Sequence, residues 1–144
     1  MPNPVILFVD MDAEYRALYA EWVKQANPDC TVVELGDVET AAQYLESTTK
    51  VADVVCLIMD PILLGDGRYK DRVEIGDLTG QAGALLLGDF GGQLKTARVP
   101  VILLSNARQV THLAEPLRDL PLLTKANTPP ATLGEYVAKL FRAK

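Results

Sequence analysis

Val5-Ile6-Leu7-Phe8-Val9-Asp10-Met11-Asp12 decides the fold: an unbroken apolar run that stops at acidic residues. A strand with one wet face would alternate apolar and polar side chains. An unbroken run suits a strand covered on both faces, as in a parallel sheet between two helix layers. Similar nearly continuous runs recur at 31–35, 54–59, 99–104 and 120–124. Between them the apolar period changes to that of helices. Asp12 can cap a helix in which Tyr15, Leu18, Tyr19, Trp22 and Val23 share one face, and Asn27-Pro28 ends it. Asp37 can cap a second, carrying Val38, Ala41, Ala42 and Leu45. A shorter helix is predicted from Asn106 or Ala107 through Leu113. Thr128-Pro129 reads as an N-cap and first-turn proline leading into Leu133, Tyr136, Val137, Leu140 and Phe141. Strands alternating with helices predict an α/β domain with a parallel sheet.

The irregular stretch is 65–96, where eight of the ten glycines lie between Gly65 and Gly92. Its first half is highly charged, and a helix is expected within it at about Thr79–Leu87, weakened by Gly80, Gly83 and Gly88. The stretch reads as a tolerated surface insertion, since long loops add little closure entropy. The other reading is a lid or docking loop. The glycines fit neither a phosphate-binding GxxxxGK[ST] nor a GxGxxG motif.

The chain has 144 residues, which fits one domain spanning 1–144. Its hydrophobic content of 49 % is enough for a core, and its net charge of −5 excludes a protein built mainly to grip nucleic acid or an anionic membrane. No apolar run approaches the roughly 20 residues of a membrane span, and the N-terminus lacks a basic signal-peptide region. A cytoplasmic location is expected. Cys30 and Cys56 make no disulfide framework and read as small buried hydrophobes, and His112 reads as a surface helix residue that cannot build a zinc site alone.

In an open parallel sheet, ligands sit beyond the carboxyl ends of the strands. Here those ends carry Asp10-Met11-Asp12, Gly36-Asp37, Asp60, Ser105-Asn106 and Lys125. Clustered carboxylates suit a hard cation such as Mg²⁺. A carboxylate can also be a nucleophile toward phosphorus, while a lysine and a hydroxyl hold the transferred oxygens. Taken singly, Asp12 is a helix cap, Ser105 a turn residue and Lys125 a solvated cation. Their convergence at four strand ends favours function.

The order strand-Asp10, strand-Asp60, strand-Ser105, strand-Lys125 resembles the receiver domain of two-component response regulators. Ile6 to Arg16 is similar to that family's first strand and acidic pocket. Val99-Pro100-Val101-Ile102-Leu103-Leu104-Ser105 is similar to its fourth strand, and Leu123-Thr124-Lys125-Ala126-Asn127-Thr128-Pro129 to its fifth strand and last-helix start. The resemblance covers nearly the whole chain. It implies a flavodoxin-like (βα)5 three-layer sandwich, with the glycine-rich insertion between strands three and four. It also implies a non-enzymatic, stand-alone receiver: Asp60 accepts a phosphoryl group from a histidine kinase or phosphotransfer protein, Asp10, Asp12 and Asp60 hold Mg²⁺, and Ser105 and Lys125 contact the phosphoryl. Output would pass by protein–protein contact, with Arg108, Gln109, Arg118 and Asp119 near the face used, and a second copy is a further candidate partner.

Several positions depart from the family pattern. Met11 stands in place of a second acid, Pro61 follows the acceptor, and Leu64 replaces a later proline. Asn106 replaces a small residue, Leu122 an aromatic switch residue, and Ala126 the proline after the lysine. These motivate a second reading, a receiver-shaped interaction module that takes no phosphate. A third is a haloacid-dehalogenase-like phosphatase, which Asp10-x-Asp12 and Leu103-Leu104-Ser105-Asn106 resemble. Against it, Glu135 is the only acid after Lys125, and a helix follows the first strand at once.

Overall fold

The structure is a computed structural model and describes residues 3–77, 79–106 and 112–142. Each apolar run forms a strand: β1 Val5–Val9, β2 Thr31–Leu35, β3 Val54–Met59, β4 Val101–Ser105 and β5 Leu122–Thr124. They pair in parallel in the order β2-β1-β3-β4-β5, the flavodoxin-like order. The α-helices among the described residues are α1 Ala13–Ala26, α2 Val38–Glu46, α3 Thr48–Ala52, α4 Gln81–Thr96 and α5 Pro130–Arg142.

Alternate residues of β1 enter two separate cores, which is why its run is unbroken. Val5, Leu7 and Val9 cluster with Leu57, Met59 and Leu103, and with Ala41 and Leu45 of α2 and Leu86 and Phe90 of α4. Ile6 and Phe8 cluster with Cys56, Ile58, Ile102 and Leu104, and with Tyr19 and Val23 of α1 and Leu133 and Val137 of α5. Neither cysteine is in a disulfide, and both are buried.

Asp12 and Asp37 cap α1 and α2 as expected, each accepting backbone N–H groups of the first turn. The face predicted for α1 divides, however. Tyr19 and Val23 are buried, whereas Tyr15, Leu18 and Trp22 are 39 %, 46 % and 41 % exposed. Tyr19 and Val23 share a core with Leu133 and Val137 of α5, which packs so closely on α1 that a Cβ at Gly134 would lie 2.7 Å from the Trp22 carbonyl oxygen.

The glycine-rich stretch resolves into two parts. Its second half is no loop: α4 runs to Thr96, well past the Leu87 expected, although Gly88, Gly91 and Gly92 lie within it. Burial of Ala82, Leu86, Leu87, Phe90 and Leu94 overrides the weak propensity. The helix begins after Gly80, which is left-handed at φ +77°, and Asp77 Oδ2 accepts the Gln81 N–H at 2.8 Å. The first half is irregular, and it is anchored. Tyr69, in a 3₁₀ turn at Gly67–Tyr69, is fully buried and donates to Asp89 Oδ2 at 2.8 Å. Arg68 grips Glu39 of α2 through Nε and Nη2 at 3.0 and 2.9 Å and also pairs with Glu46.

The helix predicted from Asn106 or Ala107 to Leu113 falls largely outside the described residues, as do Arg108 and Gln109. Asn106 and His112 are exposed bend residues, and Leu113 and Ala114 are not helical. The regular piece described before β5 is a 3₁₀ turn, Leu117–Asp119.

Candidate functional site

Three ladder bonds and one strand register place the site. Where β1 and β3 end, the Asp10 N–H donates to the Leu35 carbonyl (3.1 Å) and the Asp60 N–H to the Val9 carbonyl (2.9 Å). Each bond extends its ladder by one residue, so the two acids emerge side by side at the topological switch between β1 and β3. On the other side of β3, Ser105 pairs with Thr124, and the Lys125 N–H donates to the Ser105 carbonyl at 2.9 Å. Asp10, Met11, Asp12, Asp60, Ile62, Ser105, Asn106 and Lys125 line one cavity of about 280 Å³.

Asp10 and Ser105 are buried, at 1 % and 0 % exposed, and Asp60 and Lys125 nearly so, at 6 % and 7 %. The lysine is therefore no solvated cation. Its Nζ lies 2.7 Å from Asp10 Oδ2 and 3.3 Å from Asp60 Oδ2, a buried cation shared by two carboxylates. The remaining oxygens bind the backbone: Asp10 Oδ1 accepts from the Asp12 N–H at 2.9 Å, and Asp60 Oδ1 from the Ile62 N–H at 2.8 Å. Burial pushes the Asp60 carboxyl up to about 6; the Ile62 N–H opposes this, the Asp10 charge adds to it, and Lys125 draws it back. Burial lowers the Lys125 ammonium, but the two carboxylates outweigh burial and hold it above its ordinary value.

The three-carboxylate cation site expected of Asp10, Asp12 and Asp60 does not form. Among the described residues no three acidic, histidine or cysteine side chains gather closely enough to hold an ion. Asp12 Oδ1 accepts the Glu14 and Tyr15 N–H groups, both at 3.2 Å, so this oxygen caps α1. Met11 is 46 % exposed at the cavity mouth and offers a thioether, a poor Mg²⁺ ligand. What remains is a two-carboxylate pair. Asp10 Oδ2 is buried and faces the Lys125 ammonium at 2.7 Å. A buried anionic oxygen beside a second carboxylate fits Mg²⁺, which often takes one or two carboxylates and keeps several waters.

Three supporting residues escaped the sequence reading. Arg16 donates from Nη1 to the Asp10 carbonyl at 2.7 Å and from Nε to Glu34 at 3.2 Å. It passes Gly36 so closely that a Cβ there would lie 3.0 Å from Nη1. The Tyr15 ring centre is 4.9 Å from Lys125 Nζ. The Tyr19 hydroxyl lies 3.1 Å from the Lys125 carbonyl oxygen and 2.5 Å from that of Thr128. Sequence spacing puts both tyrosines on the core side of α1, but only the tertiary crossing shows that they reach the β5–α5 turn.

No protein-family model and no curated protein matches the sequence. Solved structures do match. The receiver domain of the Francisella response regulator 1452 aligns at TM-score 0.61 and 20 % identity, over 99 % of this chain and 100 % of that one. A response regulator receiver domain from Rhodospirillum rubrum aligns at 0.56 and 15 %, over 96 % and 93 %. The Salmonella typhimurium RcsB response regulator aligns at 0.65 and 18 %, over 100 % of this chain and 62 % of that one. Sheet order and switch-point cavity define an open parallel α/β protein. Within that class, the chain has the receiver fold of response regulators.

Proposed function

We propose that the chain is a receiver that accepts a phosphoryl group on Asp60 from a phosphohistidine of a kinase or phosphotransfer protein. The observation that carries this reading is the shared ion pair: Lys125 Nζ lies 2.7 Å from Asp10 and 3.3 Å from Asp60 in a cavity that Ser105 also lines. An Asp60 oxygen attacks phosphorus, the phosphorus–nitrogen bond breaks, and the imidazole leaves. Lys125 and the Ser105 hydroxyl, which both line the cavity, would receive the added phosphoryl oxygens. Asp10 and Asp60 would hold Mg²⁺, which neutralises charge on the transferring group. Asp60 must be ionised to attack, and its acidity near 6 leaves it so at neutral pH. The partner surface has a candidate beside the cavity: Met11, Tyr15, Leu18 and Trp22 are all exposed apolar residues at helical spacing on and just before α1. No described helix is long and apolar enough to cross a membrane, and we take the site of action to be the cytoplasm.

A second reading, a phosphate-independent interaction module, is favoured by the use of Asp12 as a cap and by Lys125 already bridging both carboxylates. Intact mass after incubation with acetyl phosphate and Mg²⁺ separates the two. The expected result is one added phosphoryl group, absent in Asp60→Asn. No addition to the folded protein selects the second reading. Addition that survives Asp60→Asn but is lost in Asp10→Asn points instead to phosphatase-like use of Asp10.

A further inference from the structure

We propose that Tyr15 and Tyr19 of α1 are positioning residues that clamp Lys125 from its side-chain and main-chain ends, and that the Tyr15 ring sets the ammonium between Asp10 and Asp60. The inference rests on the reading of Asp60 as phosphoryl acceptor for its kinetic consequence, but not for its geometry.

Lys125 has three rotatable donors on a flexible stem, so a shared position between two carboxylates must be imposed on it. Its backbone gives limited help. β5 is only three residues long and ends one residue before Lys125. Ala126 follows and puts no ring constraint on the turn. Two bonds hold this turn from the sheet side, Lys125 N–H to the Ser105 carbonyl (2.9 Å) and Asn127 N–H to the Thr124 carbonyl (3.1 Å).

The opposite side is held by α1. The Tyr19 hydroxyl sits between the Lys125 and Thr128 carbonyl oxygens, at 3.1 and 2.5 Å, and ties the two ends of the turn together. Burial, above all, pushes the Tyr19 hydroxyl's pKa up and keeps it a donor. One helical turn earlier, the Tyr15 ring lies 4.9 Å from Lys125 Nζ, within the range of a cation–π contact. The two rings are tilted neighbours, with centroids 6.3 Å apart, so each limits the other's rotation. Tyr19 is 2 % exposed and Tyr15 39 %, which makes Tyr15 the member that can be changed without opening the core.

The test compares wild type, Tyr15→Phe and Tyr15→Leu in the full chain, with two readouts. The first is the proton shift of the Lys125 ε-methylene, which a ring face moves upfield. The second is the initial rate of phosphoryl uptake from acetyl phosphate with Mg²⁺. We expect the upfield shift in wild type and Tyr15→Phe and its loss in Tyr15→Leu, with uptake slowed about three- to tenfold in Tyr15→Leu alone, the size of one cation–π contact. Tyr19→Phe, which keeps the ring and drops the hydroxyl, is expected to slow uptake while leaving the shift. An absent shift in wild type, or equal uptake in all three Tyr15 proteins, overturns the proposal. Equal slowing in Tyr15→Phe and Tyr15→Leu overturns the role of the ring face. If no protein takes up phosphoryl while the shift follows the ring as stated, the acceptor reading fails and the clamp stands.

Discussion

At the residue scale, Lys125 is the keystone of the cavity. It holds two carboxylates that would otherwise face each other in a buried site. Removing one partner of a buried ion pair leaves uncompensated charge, which generally costs more than the pair contributes. Lys125→Ala is therefore expected to lower unfolding free energy by about 3 kcal/mol in urea titrations at pH 7. Asp60 carries the opposite sign. Its pKa is raised from 3.8 to about 6 by folding, so the folded protein binds that proton more tightly than the unfolded chain. Stability from this group is present below about pH 4 and is lost as pH rises through 6. Asp60→Asn should remove that dependence. In thermal melts it should be more stable than wild type at pH 7.5, by on the order of 2–3 kcal/mol, with the difference shrinking toward pH 4. A difference that grows as pH falls would contradict the assignment.

At the scale of elements, α4 shows packing overriding local preference. Its glycines differ in kind. A Cβ at Gly91 meets nothing within 4 Å, whereas one at Gly134 in α5 meets the Trp22 carbonyl at 2.7 Å and Ala26 Cβ at 3.0 Å. Gly91→Ala is expected to raise stability by about 0.5–1 kcal/mol through helix propensity alone. Gly134→Ala is expected to lower it by about 1–3 kcal/mol, because backbone must move to admit the methyl. Chemical denaturation of the two variants beside wild type checks both signs. α1 shows the same tension from another side: Asp12, Tyr15 and Tyr19 serve its cap, the lysine and the turn, while Leu18 and Trp22 stay exposed.

At the scale of the whole molecule, the sheet has one core on each face and one cavity at its switch point. The cation that would bind there enters between elements that are distant in sequence, so binding should stabilise the fold as a unit. With Mg²⁺ at about ten times its dissociation constant, the melting temperature should rise by about 4 °C. The rise should vanish in Asp10→Asn and persist in Asp12→Ala, whose own melting point starts lower by the loss of a cap worth about 1 kcal/mol. A shift abolished by Asp12→Ala would restore the three-carboxylate site. Phosphoryl transfer would act on the same whole: it can bias a partner-binding state only through contacts that differ between states, and Ser105 and Lys125 are the contacts available.

The sequence by itself determined the five strands, their parallel pairing and the four residues that meet at the cavity. Continuous apolar runs admit little else, and a parallel sheet brings its strand ends to one edge wherever they lie in the chain. It also determined the caps Asp12 and Asp37, because an N-cap is a local bond within one turn. The tertiary structure alone decided the rest. It carried α4 across its glycines, because burial of one face outweighs propensity. It showed Asp12 Oδ1 engaged by the first turn of α1, a bond that competes with cation binding for that oxygen. It buried Lys125 between Asp10 and Asp60 under Tyr15, a contact that joins β1, β3, β5 and α1 and so has no signature in any single stretch of sequence.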